Sequence, residues 1–179
     1  MKNIIISAIL ASALALFSPQ GAQAQGALYL SGLGPTPTGS VPVGSDSWMA
    51  GDFGTGPNAG GYLLNSIQLA LGDAVGDPNG FIVMLYSNAG PTGSYPGGSL
   101  GTLNGSLDPV AGGIYTYSPA SDLILSPRAV YWVVLTSGTA VANGAYDWSF
   151  TSTSPPVSSE SWWQYNLIFS STGGLSSGG

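Results

Sequence analysis

The alternation of apolar and polar positions along the chain predicts β-strands. The strongest signal is Ala129–Leu135, seven consecutive apolar or aromatic residues that are mostly β-branched or ring-bearing. As a strand, this segment places Val130, Trp132 and Val134 on one face and its other four residues on the opposite face. Because both faces are apolar, the pattern predicts a central strand that is covered on both sides. Seven residues are too few to span a bilayer, which takes about 20 as a helix.

Several other segments carry strand patterns, and turns rich in Gly, Pro, Asn and Ser separate them. The further predicted strands are Ser47–Phe53, Tyr62–Leu71, Phe81–Tyr86, Ile114–Ser118, Leu123–Leu125, Ala145–Thr151 and Trp162–Phe169, with an edge strand at Ala27–Leu30 and a short strand around Leu103.

The pairing of these strands is predicted from their order and length. We expect Tyr62–Leu71 and Phe81–Tyr86 to form an antiparallel hairpin, and Ala129–Leu135 to pair with Tyr115–Ser118 or Ala145–Thr151. No segment after the N-terminus has a helical apolar period. The sequence therefore predicts an all-β protein, an antiparallel β-sandwich of jelly-roll type with about eight or nine short strands.

The N-terminal segment has the features of a signal peptide. Lys2 gives the positive start, Ile4–Phe17 is a short apolar run, and Ala22–Ala24 is a small-x-small cleavage site. Removing 24 of the 179 residues leaves 155, enough for one domain. We expect a Gly/Pro-rich lead-in over 25–44, a β-domain over 45–171 and a Gly/Ser-rich tail over 172–179. The alternative is an uncleaved N-terminal anchor.

Export and composition together limit the partners of the protein. The mature chain has no predicted membrane span, so we expect a secreted or outer-surface protein. Without Lys2, Arg128 is the only cation against eight acidic residues, a net charge of −7. Nothing then neutralises phosphates, which argues against nucleic acid or anionic lipid as a partner. A hydrophobic content of 44% argues against disorder.

The absent residue types exclude several kinds of catalysis. The sequence has no His and no Cys, so a Ser or Cys nucleophile lacks a His base, and a zinc site lacks its usual ligands. A pair of carboxylates remains the one acid–base option, as in glycoside hydrolysis. Asp147, beside Trp148, is the best-placed candidate, but it is also what the polar face of a half-buried strand would show. We therefore expect no enzymatic activity and no catalytic residue.

One loop carries oxygen ligands that suit calcium. Asp73, Asp77 and Asn79 lie close together in the sequence, and calcium is abundant outside the cell. The alternative is that Asp77–Gly80 is a type I turn, which explains the same residues without a metal. Apart from calcium, the sequence predicts no cofactor.

An aromatic segment suggests a sugar-binding surface. Trp162 and Trp163 point to opposite sides of a strand, so one is exposed, and Trp162 is the candidate because Gln164 and Asn166 share its face. Together with Tyr165, Trp162 would stack on pyranose rings of an exopolysaccharide or another surface glycan. The alternative is that Trp162 covers a sheet edge.

A series of short motifs runs through most of the mature chain, from about Ser45 to Gly174. The motifs are Trp48–Gly56, Leu64–Leu71, Val83–Pro91, Pro96–Leu100, Tyr115–Ser118, Leu123–Leu125 and Tyr131–Leu135. In order and spacing they resemble the type R choice-of-anchor domains of bacteria, which usually precede a PEP-CTERM or similar sorting signal. The resemblance implies a β-rich surface or secreted domain of Gram-negative, biofilm-forming and often exopolysaccharide-producing bacteria. It implies no enzymatic activity and transfers no functional residues.

The chain departs from that family at its C-terminus. No Pro-Glu-Pro motif, apolar helix or basic tail follows before Gly179, and a last strand before the anchor is missing. Two interpretations stand here: a truncated fragment, or a secreted variant. The sequence thus predicts a non-catalytic exported surface or matrix-associated domain. The alternative is a carbohydrate-binding module for exopolysaccharide, and a weaker one is a glycan-active enzyme.

Overall fold

A computed structural model describes Ser31, Leu33 and residues 35–90 and 95–151, and it adds the backbone of residues 167–170. This part of the chain forms twelve strands and one short 3₁₀ helix, Val141–Asn143. The strands are β1 (Gly39–Val43), β2 (Trp48–Gly54), β3 (Tyr62–Leu63), β4 (Ile67–Leu71), β5 (Val75–Gly76), β6 (Ile82–Asn88), β7 (Pro96–Asn104), β8 (Gly113–Pro119), β9 (Ile124–Leu125), β10 (Val130–Thr136), β11 (Gly144–Phe150) and β12 (Leu167–Ser170).

Ten of these strands form one antiparallel sheet that is nearly barrel-shaped. Its order is β1-β11-β4-β8-β7-β6-β10-β2-β12, with β5 attached to β11, while β3 and β9 form a separate small sheet. Nine strands have four or more residues, so the predicted all-β antiparallel fold with eight or nine strands is confirmed. No helix in the described part of the chain is long and apolar enough to cross a membrane.

The main core lies on the inner face of the large sheet. Tyr131, Val133 and Leu135 of β10 point into it, as their alternation requires. At its centre the Phe81 ring lies 4.9 Å from the Tyr146 ring, measured between centroids. Each fully buried side chain of this size contributes about 1.5–3 kcal/mol relative to an exposed one. The core thus joins strands that are far apart in the sheet order.

A second apolar cluster lies on the outer face of the same sheet. Ala50, Trp132 and Val134 have no exposed surface, and Trp48, Met84 and Tyr86 pack against them. The Trp132 indole Nε1–H donates to Asn88 Oδ1 at 2.9 Å, so its polar atom is satisfied. Strand β10 is therefore covered on both faces, as its sequence predicts.

The predicted neighbours of this central strand are wrong. β10 pairs with β2 and β6, where Val134 is opposite Ala50 on one side and Met84 on the other. The segments proposed instead, in β8 and β11, lie in the other half of the sheet. An apolar pattern on both faces shows that a strand is central, but it does not specify which distant strands flank it.

The predicted hairpin between Tyr62–Leu71 and Phe81–Tyr86 is also wrong. β4 pairs with β8 and β11, not with β6. The intervening segment carries β5, which adds to β11 through Gly144–Gly76 and Ala145–Val75. The segment between β4 and β6, expected to be a hairpin loop, instead crosses between two parts of the large sheet.

Strand β1 lies inside the segment expected to be a lead-in. All five of its residues pair with β11, from Gly39 opposite Phe150 to Val43 opposite Tyr146. Pro42 is tolerated because β1 is an edge strand of the described sheet. The β-structure therefore begins before Ser45, and the edge strand expected at Ala27–Leu30 lies outside the described residues.

The backbone ladder of the large sheet contains few residue pairs at two strand junctions. β7 and β8 share only the pairs Leu103–Pro119 and Asn104–Ser118. β11 and β4 share one pair, Trp148–Leu71. The sheet order is thus divided into three groups of strands with narrow connections between them: β1 with β11, β4 with β8, and the five strands β7, β6, β10, β2 and β12.

Candidate functional site

The aromatic residues expected to bind sugar, Trp162 and Tyr165, lie outside the described residues. Asp147, the candidate for acid–base chemistry, lies on β11 between the buried Tyr146 and Trp148. It is half-buried, and its backbone carbonyl accepts the Gly72 N–H at 2.8 Å. The expected alternation along this strand is therefore present, with the aromatic rings in the core and Asp147 on the other side.

The three residues proposed for calcium take part in separate loop contacts. Asp73 Oδ1 accepts the backbone N–H of Gly112 at 2.8 Å. Asn79 donates its backbone N–H to Thr139 Oγ1 at 3.1 Å, and Asp77 is exposed. Within residues 35–90 and 95–151, no three acidic residues are grouped as metal ligands would be. Calcium binding at this loop stays a prediction.

A tyrosine–aspartate contact in the core is structural. Tyr146 Oη–H donates to Asp108 Oδ1 at 2.8 Å, and Tyr117 Oη–H donates to the Ser106 carbonyl at 3.1 Å. Burial raises the pKa of both phenols, and for Tyr146 the bond to Asp108 adds to the effect. These hydroxyls stay protonated at neutral pH and anchor the loop between β7 and β8.

The most distinctive surface lies around the small sheet, where the pairing between the β3–β4 segment and the β8–β9 segment changes register. Ile67 pairs with Tyr117 in the large sheet, and Leu63 pairs with Ile124 in the small one. Three residues (64–66) lie between these pairs on one strand, and six (118–123) lie between them on the other. The longer side must therefore loop outwards, which breaks the ladder and opens a groove.

The groove at this break has a volume of about 240 Å³ and a largely polar lining. Its walls are formed by Leu63, Leu64, Asn65, Pro119, Ala120, Ser121 and Asp122. An amide, a hydroxyl and a carboxylate thus converge with a few apolar side chains, a mixture that suits recognition of a polar ligand. Asp122 is the one carboxylate in the lining.

An exposed apolar pair lies beside the groove. Leu63 is 52% exposed and Ile124 is 67% exposed, and the two are directly opposite each other in the small sheet. Cross-strand pairs of this kind usually face a core or a partner rather than water. Together with the groove they give one side of the molecule both hydrogen-bonding and apolar character.

The turn after β9 is clamped by a buried hydroxyl. Thr55 is 3% exposed, and its Oγ1–H donates to the Ser126 carbonyl at 2.7 Å, with the Ala129 carbonyl at 3.2 Å. The same oxygen accepts the Ala129 N–H at 2.9 Å. Ser126 N–H donates to Tyr131 Oη at 2.7 Å. Both ends of the turn are thus tied to neighbouring strands.

Arg128 occupies the strained position of that turn. Its φ is +51°, the only positive value at a non-glycine residue in the described part of the chain. Pro127 precedes it, and a Pro followed by a positive φ is the pattern of a type II turn, where Gly or Asn is usual. The Arg128 N–H donates to the Gly56 carbonyl at 2.9 Å, while the side chain is exposed.

We call this surface the small-sheet face; it consists of Leu63, Asn65, Ser121, Asp122, Ile124 and Arg128. Positions 122, 124, 126 and 128 are all exposed, so the segment presents its polar, apolar and cationic groups in succession. These residues offer an amide, a hydroxyl, a carboxylate and a guanidinium for hydrogen bonding.

Sequence reasoning missed this face. The break depends on a register change between strands that are distant in sequence. The one usable signal was Arg128 itself, one of two cationic residues in the sequence.

No family model, no curated protein and no solved structure matches the chain.

Proposed function

We propose that the chain is a non-catalytic domain that is exported to the cell surface or the extracellular matrix and acts there by binding. The small-sheet face carries this proposal. It brings an amide, a hydroxyl and a carboxylate together with two exposed aliphatic side chains, and the guanidinium of Arg128 follows on the same exposed segment.

Two features of the sequence support the location. The first 24 residues have the organisation of a signal peptide, and the motif series resembles choice-of-anchor domains of bacterial surface proteins. The lack of His and Cys supports a role without nucleophilic catalysis.

Expression of the full chain in a Gram-negative host tests this proposal. We expect mass spectrometry of the exported fraction to find a mature N-terminus at Gln25. The purified protein should release no reducing ends from a panel of polysaccharides. A product that keeps Met1 inside the cell would refute export, and steady release of reducing ends would refute the non-catalytic role and favour a glycan-active enzyme.

Glycan binding is the second candidate, and the groove beside the small sheet favours it. Asn65, Ser121 and Asp122 offer the donors and acceptors that fix sugar hydroxyls, and Leu63 and Ile124 offer apolar contact. Trp162 and Tyr165 remain proposed stacking residues.

Tryptophan fluorescence titrated with exopolysaccharide separates the two binding surfaces. A saturable shift that is lost in Trp162→Ala would assign the aromatic segment. A shift that survives there but is lost in Asn65→Ala and Ser121→Ala would assign the groove. No shift in the wild-type protein would refute glycan binding and leave the structural role.

Calcium at Asp73, Asp77 and Asn79 is tested in the same preparation. Binding predicts that calcium chloride raises the melting temperature and that Asp77→Asn abolishes the rise, since a ligand that binds only the folded state stabilises it. An equal melting temperature in calcium and in chelator would refute the site.

A further inference from the structure

We propose that Arg128 recognises an anionic group on a sparsely charged acidic glycan, one whose carboxylates are spaced among neutral sugars. The inference rests on the glycan-binding candidate above and names the ligand chemistry of the small-sheet face. Three observations on Arg128 support it.

The first observation is the absence of an internal partner. The sequence holds eight acidic residues and two cations, one of which lies in the predicted leader. Within the part of the chain that the structure describes, the Arg128 guanidinium has no hydrogen bond and no ion pair. Carboxylates outnumber cations in this chain, yet the Arg128 side chain is exposed to solvent.

The second observation is the backbone conformation. A left-handed residue other than Gly or Asn costs about 1–2 kcal/mol, and Arg128 adopts it at φ +51°. Glycine would occupy this turn position without that cost. Strain that is retained at the sole cation of the mature chain points to a role for the side chain.

The third observation is the rigidity of the turn. Thr55 Oγ1, the Gly56 carbonyl and Tyr131 Oη all bond to backbone groups between Ser126 and Ala129. A guanidinium on a fixed backbone loses less freedom when it binds a carboxylate, and its planar fork matches that group. Arg128 therefore presents a preorganised anion-binding group on the exposed segment that leads away from Asp122 of the groove.

The net charge limits the density of the ligand. With eight carboxylates in the chain, a densely charged polyanion would be repelled by the rest of the surface. A single carboxylate flanked by neutral sugars meets mainly Arg128 at close range, and more distant charges are screened beyond about 8 Å at physiological salt. The neutral sugars would then contact Asn65, Ser121 and Ile124.

Isothermal titration calorimetry with gellan oligosaccharides, which carry uronate carboxylates among neutral sugars, tests the inference. We expect the wild-type protein to bind them about five-fold more tightly than their carboxyl-reduced forms, the upper end of what one exposed charge pair supplies. Arg128→Asn removes the charge with a residue that tolerates the left-handed conformation, and should bind both forms equally. Arg128→Lys, which keeps the charge without the planar fork, should fall between them.

Each contrary result has a separate meaning. Equal binding of native and reduced oligosaccharides by the wild type, or undiminished binding by Arg128→Asn, overturns the role of Arg128 and leaves glycan binding intact. Stronger binding of dextran sulfate than of gellan overturns the sparse-charge requirement. Absence of binding to every glycan overturns both ideas, and binding of a polyglutamate peptide instead would assign Arg128 to an acidic protein partner.

Discussion

Replacing Thr55 by Val should destabilise the domain by about 2–3 kcal/mol. Valine has nearly the same shape, so the change removes the hydroxyl and little else. The Thr55 hydroxyl donates to the Ser126 carbonyl at 2.7 Å and accepts from Ala129 N–H at 2.9 Å. Both backbone groups lose their partner in the variant, and each unsatisfied group costs about 1 kcal/mol or more.

Thr55→Ser is the matched control because it keeps the hydroxyl and loses only a methyl group. A buried methyl contributes about 1 kcal/mol, so the serine variant should lose less than half of what the valine variant loses. The Thr55 N–H bond to the Ala129 carbonyl, at 2.9 Å, remains in both variants.

Guanidinium chloride unfolding followed by tryptophan fluorescence measures the difference. The midpoint should move to lower denaturant concentration with an unchanged slope, since the surface exposed on unfolding stays the same. If Thr55→Val unfolds within about 0.5 kcal/mol of the wild type, or if Thr55→Ser is equally damaged, the hydroxyl clamp does not have the role assigned to it.

Three further predictions concern strain, ionisation and packing. Arg128→Gly should stabilise the fold by about 0.5–1 kcal/mol because glycine adopts the left-handed backbone conformation without strain. Arg128→Ala keeps the strain and should not stabilise the fold. Equal denaturation midpoints for the two variants would contradict the assigned strain. Because the Tyr146 pKa is raised in the folded state, its contribution to stability is complete below the ordinary tyrosine pKa of about 10 and is lost as the pH rises above it. The free energy of unfolding of Tyr146→Phe should therefore fall less at alkaline pH than that of the wild type. Identical pH profiles for the two proteins would refute this prediction. Gly105→Ala places a Cβ against the Tyr117 ring, too close for normal packing, and should cost about 1–3 kcal/mol. Gly98→Ala, whose nearest neighbour lies at 3.6 Å, should be close to neutral in the same melts.

Local patterns were sufficient to predict the strands and the faces that they bury. Ala129–Leu135 was predicted as a central strand, and β10 begins and ends within one residue of it. The inward Tyr146 and Trp148 on β11 follow from the same rule of alternation. These features depend on side chains that are close in sequence, so the sequence expresses them directly.

Local patterns were not sufficient to predict the strand order or the candidate site. Ala50 and Met84 flank Val134 because the whole chain closes into a near-barrel, and no local pattern encodes that closure. The groove exists because two strands change register by three residues between Leu63 and Ile67. The left-handed turn at Arg128 could not be predicted from the local sequence, because it contains no Gly or Asn. Tertiary hydrogen bonds with Thr55 hold this turn in place.

The narrow β7–β8 connection has a consequence for how the domain unfolds. Only two residue pairs of the ladder join β8, with β4 and β11 beyond it, to the group of strands that contains β7, β6 and β10. Phe81, immediately before β6, contacts the rings of Tyr117 in β8 and Tyr146 in β11, on the other side of this connection. Cooperative unfolding of the two groups therefore depends on ring packing more than on the backbone ladder, and a smaller side chain at Phe81 would let one group open while the other stays folded.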